Sequence, residues 1–223
     1  MLKHTQKRVK SELLAEASRQ FFEIGKHVLN VPTNKFFYDK WEMKQEYKNT
    51  VWELLLEPIK HLAGEARIVV LDSPSAYTRH ADLDDRFHLN ISGDHGYLLD
   101  LENYKIHPCV QDGIWYEMNA GICHSAISIG SQRRVQLVVR KLLQKNDLSD
   151  YTNISLSLKH PNDRYHFDNV ISPWLNTNHK DGTIANCSYK NSCFEFQISN
   201  KSLSEFEKLL TKMPVDIFYE KHD

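Results

Sequence analysis

Cysteine is scarce in this chain, and its placement excludes more than its number does. Cys109, Cys123, Cys187 and Cys193 form no CxxC pair and no zinc-knuckle spacing. No signal-peptide pattern stands ahead of them, so a reducing, cytoplasmic setting is expected. Long apolar runs are missing as well. Nothing approaches the roughly 18 consecutive apolar residues that span a bilayer, so the expectation is a soluble protein without a membrane partner. Net charge is nearly absent, at −1 from 28 Lys and Arg against 29 Asp and Glu, which leaves no field to attract nucleic acid or an anionic surface. There is also no internal repeat, low-complexity tract or flexible linker. What remains is 223 residues with 41% hydrophobic and 26% charged side chains, an ordinary globular composition long enough to bury the core of one catalytic unit.

The N-terminal quarter reads as helical. From about Lys7 to Val28 apolar residues recur at helical spacing (Leu13, Leu14, Ala17, Phe21, Phe22, Ile24), with Ser11 as a start signal and Glu12 in the first turn. Pro32 breaks the pattern. The aromatic run Phe36, Phe37, Tyr38, Trp41 follows, and Trp52, Leu54, Leu55, Leu56, Ile59 and Leu62 predict a second helix ending near Gly64. The aromatics fit packing against a sheet better than a lid or partner surface.

From Glu65 the period becomes strand-like, over Ala66–Leu71, Arg86–Ile91, Gly96–Leu101, Ile114–Met118, Ala126–Ile129 and Val135–Leu142. Short runs separated by Asp, Asn, Gly and Ser turns predict a mainly β sandwich or barrel with flanking helices. On Arg86–Ile91 the even positions are Arg86, His88 and Asn90 and the odd ones are Phe87, Leu89 and Ile91. The polar face is expected to line an interior and the apolar face to receive the N-terminal helices. Residues 1–145 are thus expected to hold the helices and a catalytic β core. Residues 146–223 read as an irregular β extension packed on it, with β-like pieces at Ile154–Leu158 and Phe194–Ile198 and a terminal helix over Ser202–Lys212.

Chemistry is concentrated between Tyr77 and Arg140. His80 and Asp82 are two apart, so on an extended strand both point to one face, and His124, 44 residues after His80, can add a third ligand from another strand. Two imidazoles and one carboxylate on one face of an iron leave positions open for a keto acid and oxygen, as non-haem Fe(II) oxygenases require. Such an enzyme must also hold 2-oxoglutarate, whose distal carboxylate suits a planar bidentate donor in a dry pocket. Arg134, ten residues beyond His124 at the start of a strand, is placed for that. The weaker reading of Asp82, Asp84 and Asp85 is a solvated acidic turn.

The segments HADLDDRFHLNI and DGIWYEMNAGICHSAISIGSQRRVQLVVR resemble the aspartyl/asparaginyl β-hydroxylase superfamily, especially the bacterial branch that contains the proline cis-4-hydroxylases. The likeness lies in an HxD, an Arg-x-His-Leu strand, a Gly-x-x-Trp-Tyr run, a His-Ser-Ala and an Arg leading an apolar strand, over about 70 of 223 residues. It implies a double-stranded β-helix (jelly-roll, cupin-like) core, Fe(II) held by His80, Asp82 and His124, and 2-oxoglutarate held by Arg134. Arg86 and His88, on the Arg-x-His strand, would lie beside the co-substrate or the substrate. Some animal members lack the metal-binding acid; Asp82 supplies it here. The implied activity is Fe(II)- and 2-oxoglutarate-dependent hydroxylation of an amino-acid residue, free or within a peptide or protein.

A second HxD, His166 and Asp168, lies in a polar stretch with His160, Asp163 and Arg164 and with His179 downstream. Eleven residues from Asp168 to His179 leave no room for intervening sheet strands, so this stretch is expected to be a turn or a loop over the site's mouth. Cys123 has no activating neighbours in the sequence and reads as a small buried residue. Two other classes share the residue pattern: a cupin-type non-oxidative metalloenzyme, and a catalytically silent metal-binding protein of the same fold. Substrate identity and oligomeric state are not encoded in any motif.

Overall fold

Alternating polarity and frequent turns fold more of this chain into antiparallel sheets than into helices, seen in a computed structural model that describes residues 1–24, 27–160, 164–190, 193–213 and 217–222. In chain order the elements begin with β1 (Leu2–Arg8), α1 (Ser11–Ile24), β2 (Asn30–Pro32), β3 (Trp41–Met43) and α2 (Val51–Leu56). The central strands are β4 (Ala63–Leu71), β5 (Ser75–Ala76), β6 (Arg86–Ser92), β7 (Gly96–Asp100), β8 (Lys105–Pro108), β9 (Ile114–Met118), β10 (His124–Ser128) and β11 (Arg134–Lys141). There follow β12 (Tyr151–Leu158), α3 (Arg164–His166), a π-helical turn (Phe167–Ile171), α4 (Ser172–Lys180), β13 (Ile184–Lys190), β14 (Cys193–Ser199), α5 (Asn200–Thr211) and β15 (Ile217–His222). The protein is mainly β with flanking helices. Among the described residues no helix is long and apolar enough to cross a membrane.

The central strands form a five-stranded sheet ordered β1-β9-β6-β11-β4 and a four-stranded sheet ordered β5-β10-β7-β8. Apart from the β7–β8 hairpin, each successive strand from β4 to β11 switches sheet. The larger sheet is two-faced in sequence and in space. Its outer face carries Ile68 and Val70 of β4, Phe87, Leu89 and Ile91 of β6, and Val135, Leu137 and Val139 of β11, all packed with Leu14, Ala17 and Phe21 of α1 and Trp52 and Leu55 of α2. Each such side chain contributes roughly 1.5–3 kcal/mol when fully buried, so the N-terminal helices are part of the core, as the polarity of β6 predicts. The inner face carries polar residues in register. Val69, Gln136 and Asn90 form one row; Arg67, Val138, His88 and Tyr116 the next; Arg140, Arg86 and Met118 the third.

Several boundaries differ from the sequence expectation. The expected helix from Lys7 begins at Ser11, because residues 2–8 are an edge strand paired with β9. That strand, LKHTQKR, is too polar to show alternation. The second helix tightens into a 3-10 turn over Glu57–Leu62, where Pro58 cannot donate to a continuing α-helix. β5, β8 and the β2–β3 hairpin are short strands that periodicity does not reveal. Residues 146–223, expected to be irregular, contain a four-stranded antiparallel sheet ordered β13-β14-β12-β15. It has its own apolar cluster, built on Ile154, Leu156, Phe194, Phe196, Ile198 and Phe206, with Leu175 from α4. Phe37, from the aromatic run, packs on this cluster and meets Phe194 at 6.0 Å between ring centroids, so that aromatic ties the C-terminal sheet to the rest of the chain.

Candidate metal centre

The His80–Asp82 segment is not a strand, contrary to expectation, but an extended piece pinned from three sides. His80 exchanges both backbone hydrogen bonds with His124, at 2.9 and 2.8 Å. Ala81 donates its N–H to the Asp168 carbonyl at 2.8 Å and Asp82 its N–H to the Ala120 carbonyl at 2.7 Å. The single antiparallel bridge at His80–His124 is what brings the two imidazoles together, with ring centroids 4.4 Å apart. His124 Nε2 lies 3.8 Å from Asp82 Oδ2. One donor atom from each of His80, Asp82 and His124 falls within 4.8 Å of the other two, the spacing of a group that could hold a metal ion.

Ligand orientation is set by neighbouring groups. His80 Nδ1 lies 2.9 Å from the Thr78 carbonyl and His124 Nδ1 lies 2.7 Å from the Ile122 carbonyl. A carbonyl oxygen can only accept, so each Nδ1 carries the proton and each Nε2 lone pair is left for a metal. Burial pushes the His124 imidazolium toward loss of its proton, which again favours the ligating form. Arg86 grips Asp82, with Nη2 3.0 Å from Oδ1 and Nε 3.3 Å from Oδ2. Burial opposes ionisation of Asp82, but the Arg86 charge and hydrogen bond, helped by His124 and His80, hold it well below the usual carboxylate range. Arg86 Nη2 also lies 2.9 Å from Asp84 Oδ1, a charge contact without hydrogen-bond alignment, and Arg140 Nε lies 3.3 Å from Asp84 Oδ2. Asp84 is therefore no solvated turn residue; it is 1% exposed.

These residues open on a cavity of about 400 Å³ between the two central sheets, reached also by His88, Arg134 and Gln136. Arg134 lies deep in it. Along β11 it stands four residues from Val138, the neighbour of both Arg67 and His88, or roughly 14 Å at about 3.4 Å per residue. Its Nη1 donates to the Tyr97 carbonyl at 3.2 Å, whereas its Nε is buried without a partner. Gly96 makes that path possible, since a Cβ there would lie 2.8 Å from Arg134 Cγ and closer still to Cδ. His88 is buried with no well-formed hydrogen bond at either ring nitrogen, and burial, with the Arg134 and His124 charges, pushes it down to about 3 against an opposing contact from Gln136. Buried polar atoms without partners are costly, and the Arg134 guanidinium, on the cavity wall, suits a carboxylate there. Arg133, next in sequence, is exposed and pairs with Asp72 at 3.0 Å.

The second HxD is not assembled into a metal group; His80, Asp82 and His124 are the one such set among the described residues. Asp168 is held by Arg164, whose Nε reaches both oxygens at 2.7 and 2.8 Å. His166 lies in α3, His179 is buried on α4, and Asp163 falls outside the described residues. The stretch is helical from Arg164 to Lys180 rather than the expected turn or loop, and it reaches the site through the Asp168 carbonyl, which accepts from Ala81. Sequence reasoning missed Gly96, Arg67, Arg140 and the Thr78 and Ile122 carbonyls; of these only Gly96 carries a sequence signal, a glycine beginning a strand pattern.

Comparison with known proteins yields little more. No family model matches the chain, and no curated protein matches it. Among solved structures it is similar to a prolyl-4-hydroxylase from Pseudomonas putida, at 11% identity and a TM-score of 0.38, over 63% of this chain and 91% of that one.

Proposed function

We propose that this protein is an Fe(II)- and 2-oxoglutarate-dependent dioxygenase that hydroxylates an amino-acid residue, free or peptidyl. The observation that carries the reading is the His80–Asp82–His124 set, with both Nε2 lone pairs freed for a metal, at the edge of a cavity that also reaches an incompletely paired Arg134. Counted from β4, the eight central strands lie in the orders 6-3-8-1 and 2-7-4-5. That pattern supports a double-stranded β-helix core.

In this reading His80, Asp82 and His124 hold the iron, which supplies the redox chemistry coupling decarboxylation of 2-oxoglutarate to C–H hydroxylation. The overall reaction consumes substrate, 2-oxoglutarate and oxygen and yields hydroxylated substrate, succinate and carbon dioxide. The chain's own residues do the positioning. Arg86 keeps Asp82 ionised and turned toward the histidines. Arg134 takes the distal carboxylate of 2-oxoglutarate, and neutral His88 offers the co-substrate a hydrogen bond without adding a positive charge. Succinate release from 2-oxoglutarate, dependent on Fe(II) and stimulated by amino acids or peptides, tests the reading. Its absence across a broad panel, with iron bound, would favour a non-oxidative metalloenzyme or a silent binding protein.

A further inference from the structure

A second cavity, of about 150 Å³, adjoins the first at the Asp82–Arg86 pair and lies where the central core meets the C-terminal sheet. Four guanidiniums reach it: Arg67, Arg86, Arg140 and Arg164. They arrive from different elements, β4, β6, β11 and α3, so no local sequence feature accounts for their meeting. Three are committed. Arg86 is shared by Asp82 and Asp84, Arg140 lies on Asp84 and over the Phe37 ring at 5.1 Å, and Arg164 is held by both oxygens of Asp168.

Arg67 differs. It lines both cavities, and its ion-pair partner is Glu65, two residues back on the same strand; its side chain is 42% exposed. Partial burial and the Arg86 and Arg140 charges disfavour its own charge, against the Glu65 and Asp82 carboxylates, which favour it. The four arginines face four carboxylates, Glu65, Asp82, Asp84 and Asp168. With a divalent metal at Asp82, as the proposed function requires, the four guanidiniums and the metal together outweigh the four carboxylates. A cavity of this size holds a few heavy atoms, enough for the head of one amino acid beside the metal.

Resting on that proposed function, we infer that the smaller cavity is a substrate subsite for a carboxylate, and that Arg67 is the specificity-determining residue that binds it, between the metal centre and the C-terminal sheet. The carboxylate can come from a free amino acid or from an acidic side chain in a peptide; both present the same two oxygens to a guanidinium.

The test is calorimetric titration of the full chain, metal-free and again with Zn(II) and 2-oxoglutarate. One arm uses the free L-amino acids, a second their carboxamides, and a third end-blocked peptides containing Asp or Glu, with Asn and Gln counterparts. The expected result is that at least one carboxylate ligand binds at least 10-fold more tightly than its amide, more tightly still with the metal present, and that Arg67→Gln removes the difference while Arg133→Gln keeps it. Preference in the first arm identifies an α-carboxylate, and in the third a side-chain carboxylate; either supports the subsite. Equal binding of acid and amide, no binding in any arm, or wild-type discrimination in Arg67→Gln overturns it. Succinate release from 2-oxoglutarate by the Fe(II) protein is measured in parallel, so loss of the proposed function and loss of the subsite are read separately.

Discussion

At the scale of single residues, the site separates groups that would touch a metal from groups that hold them. Alanine at His80 or His124 removes a donor from a three-donor set, so each variant is expected to lose stoichiometric Fe(II) binding while unfolding near the wild-type denaturant midpoint. His166→Ala is expected to bind iron normally, and metal analysis of the purified variants checks both. Arg86 has a different signature. It is 8% exposed and paired with two carboxylates, and removing one partner of a buried ion pair leaves charge uncompensated, at about 3–5 kcal/mol. Arg86→Met should therefore lower the urea unfolding free energy by about that amount. An unfolding curve superimposable on wild type would contradict the role given to this pair.

At the scale of elements, the key contact is the crossing of Arg134 from β11 over β7 at Gly96. A methyl group there has no space beside the arginine stem, so Gly96→Ala is expected to displace Arg134 and weaken 2-oxoglutarate binding at least 10-fold, with Fe(II) binding retained. Calorimetry with the metal-loaded protein checks it. This contact also marks how far the sequence could be read. The strands that alternate strongly, β6 and β11, and the polar face they share were legible, and so was the grouping of His80, Asp82 and His124, although the strand parity used to argue it does not hold at His80–Asp82. Where an element is short or polar, as in β1, β5 and β8, side-chain periodicity carries no signal and only backbone pairing defines it. The strand expected at His80–Asp82 is a bridge for the same reason: its order comes from partners at Ala120, His124 and Asp168, far apart in sequence. Arg67 and Arg140 stayed hidden because only the register with β11 and β6 puts them on the wall that carries His88 and Arg86.

At the scale of the whole molecule, buried titratable groups set the response to pH. His88 is pushed down to about 3 in the folded protein, chiefly by burial, against about 6.5 when unfolded. Between those values the unfolded chain takes up a proton that the folded chain refuses. Stability tied to His88 is thus fully present above about pH 6.5 and lost as pH falls toward 3, by up to about 1.4 kcal/mol per pH unit. His124 and His179 shift in the same direction through burial. Asp82, held low by Arg86 despite its burial, adds stability above the unfolded carboxylate value of about 3.9 that is lost at lower pH. Metal-free protein should lose stability steadily below pH 6.5 in denaturant titrations, and His88→Gln should make that slope shallower. A pH-independent midpoint between 6.5 and 4 would contradict the buried, neutral histidine.

The same cavity that keeps His88 neutral is where the central claim can be measured, through the visible metal-to-ligand charge-transfer band that 2-oxoglutarate forms with anaerobic Fe(II) protein. A charge-assisted hydrogen bond from a buried guanidinium is worth about 1.5–3 kcal/mol, so Arg134→Gln should shift the titration midpoint roughly 10- to 150-fold while retaining iron, and Arg133→Gln should titrate like wild type. No band in the wild-type protein would contradict the dioxygenase reading, and a normal midpoint in Arg134→Gln would show that another residue holds the carboxylate.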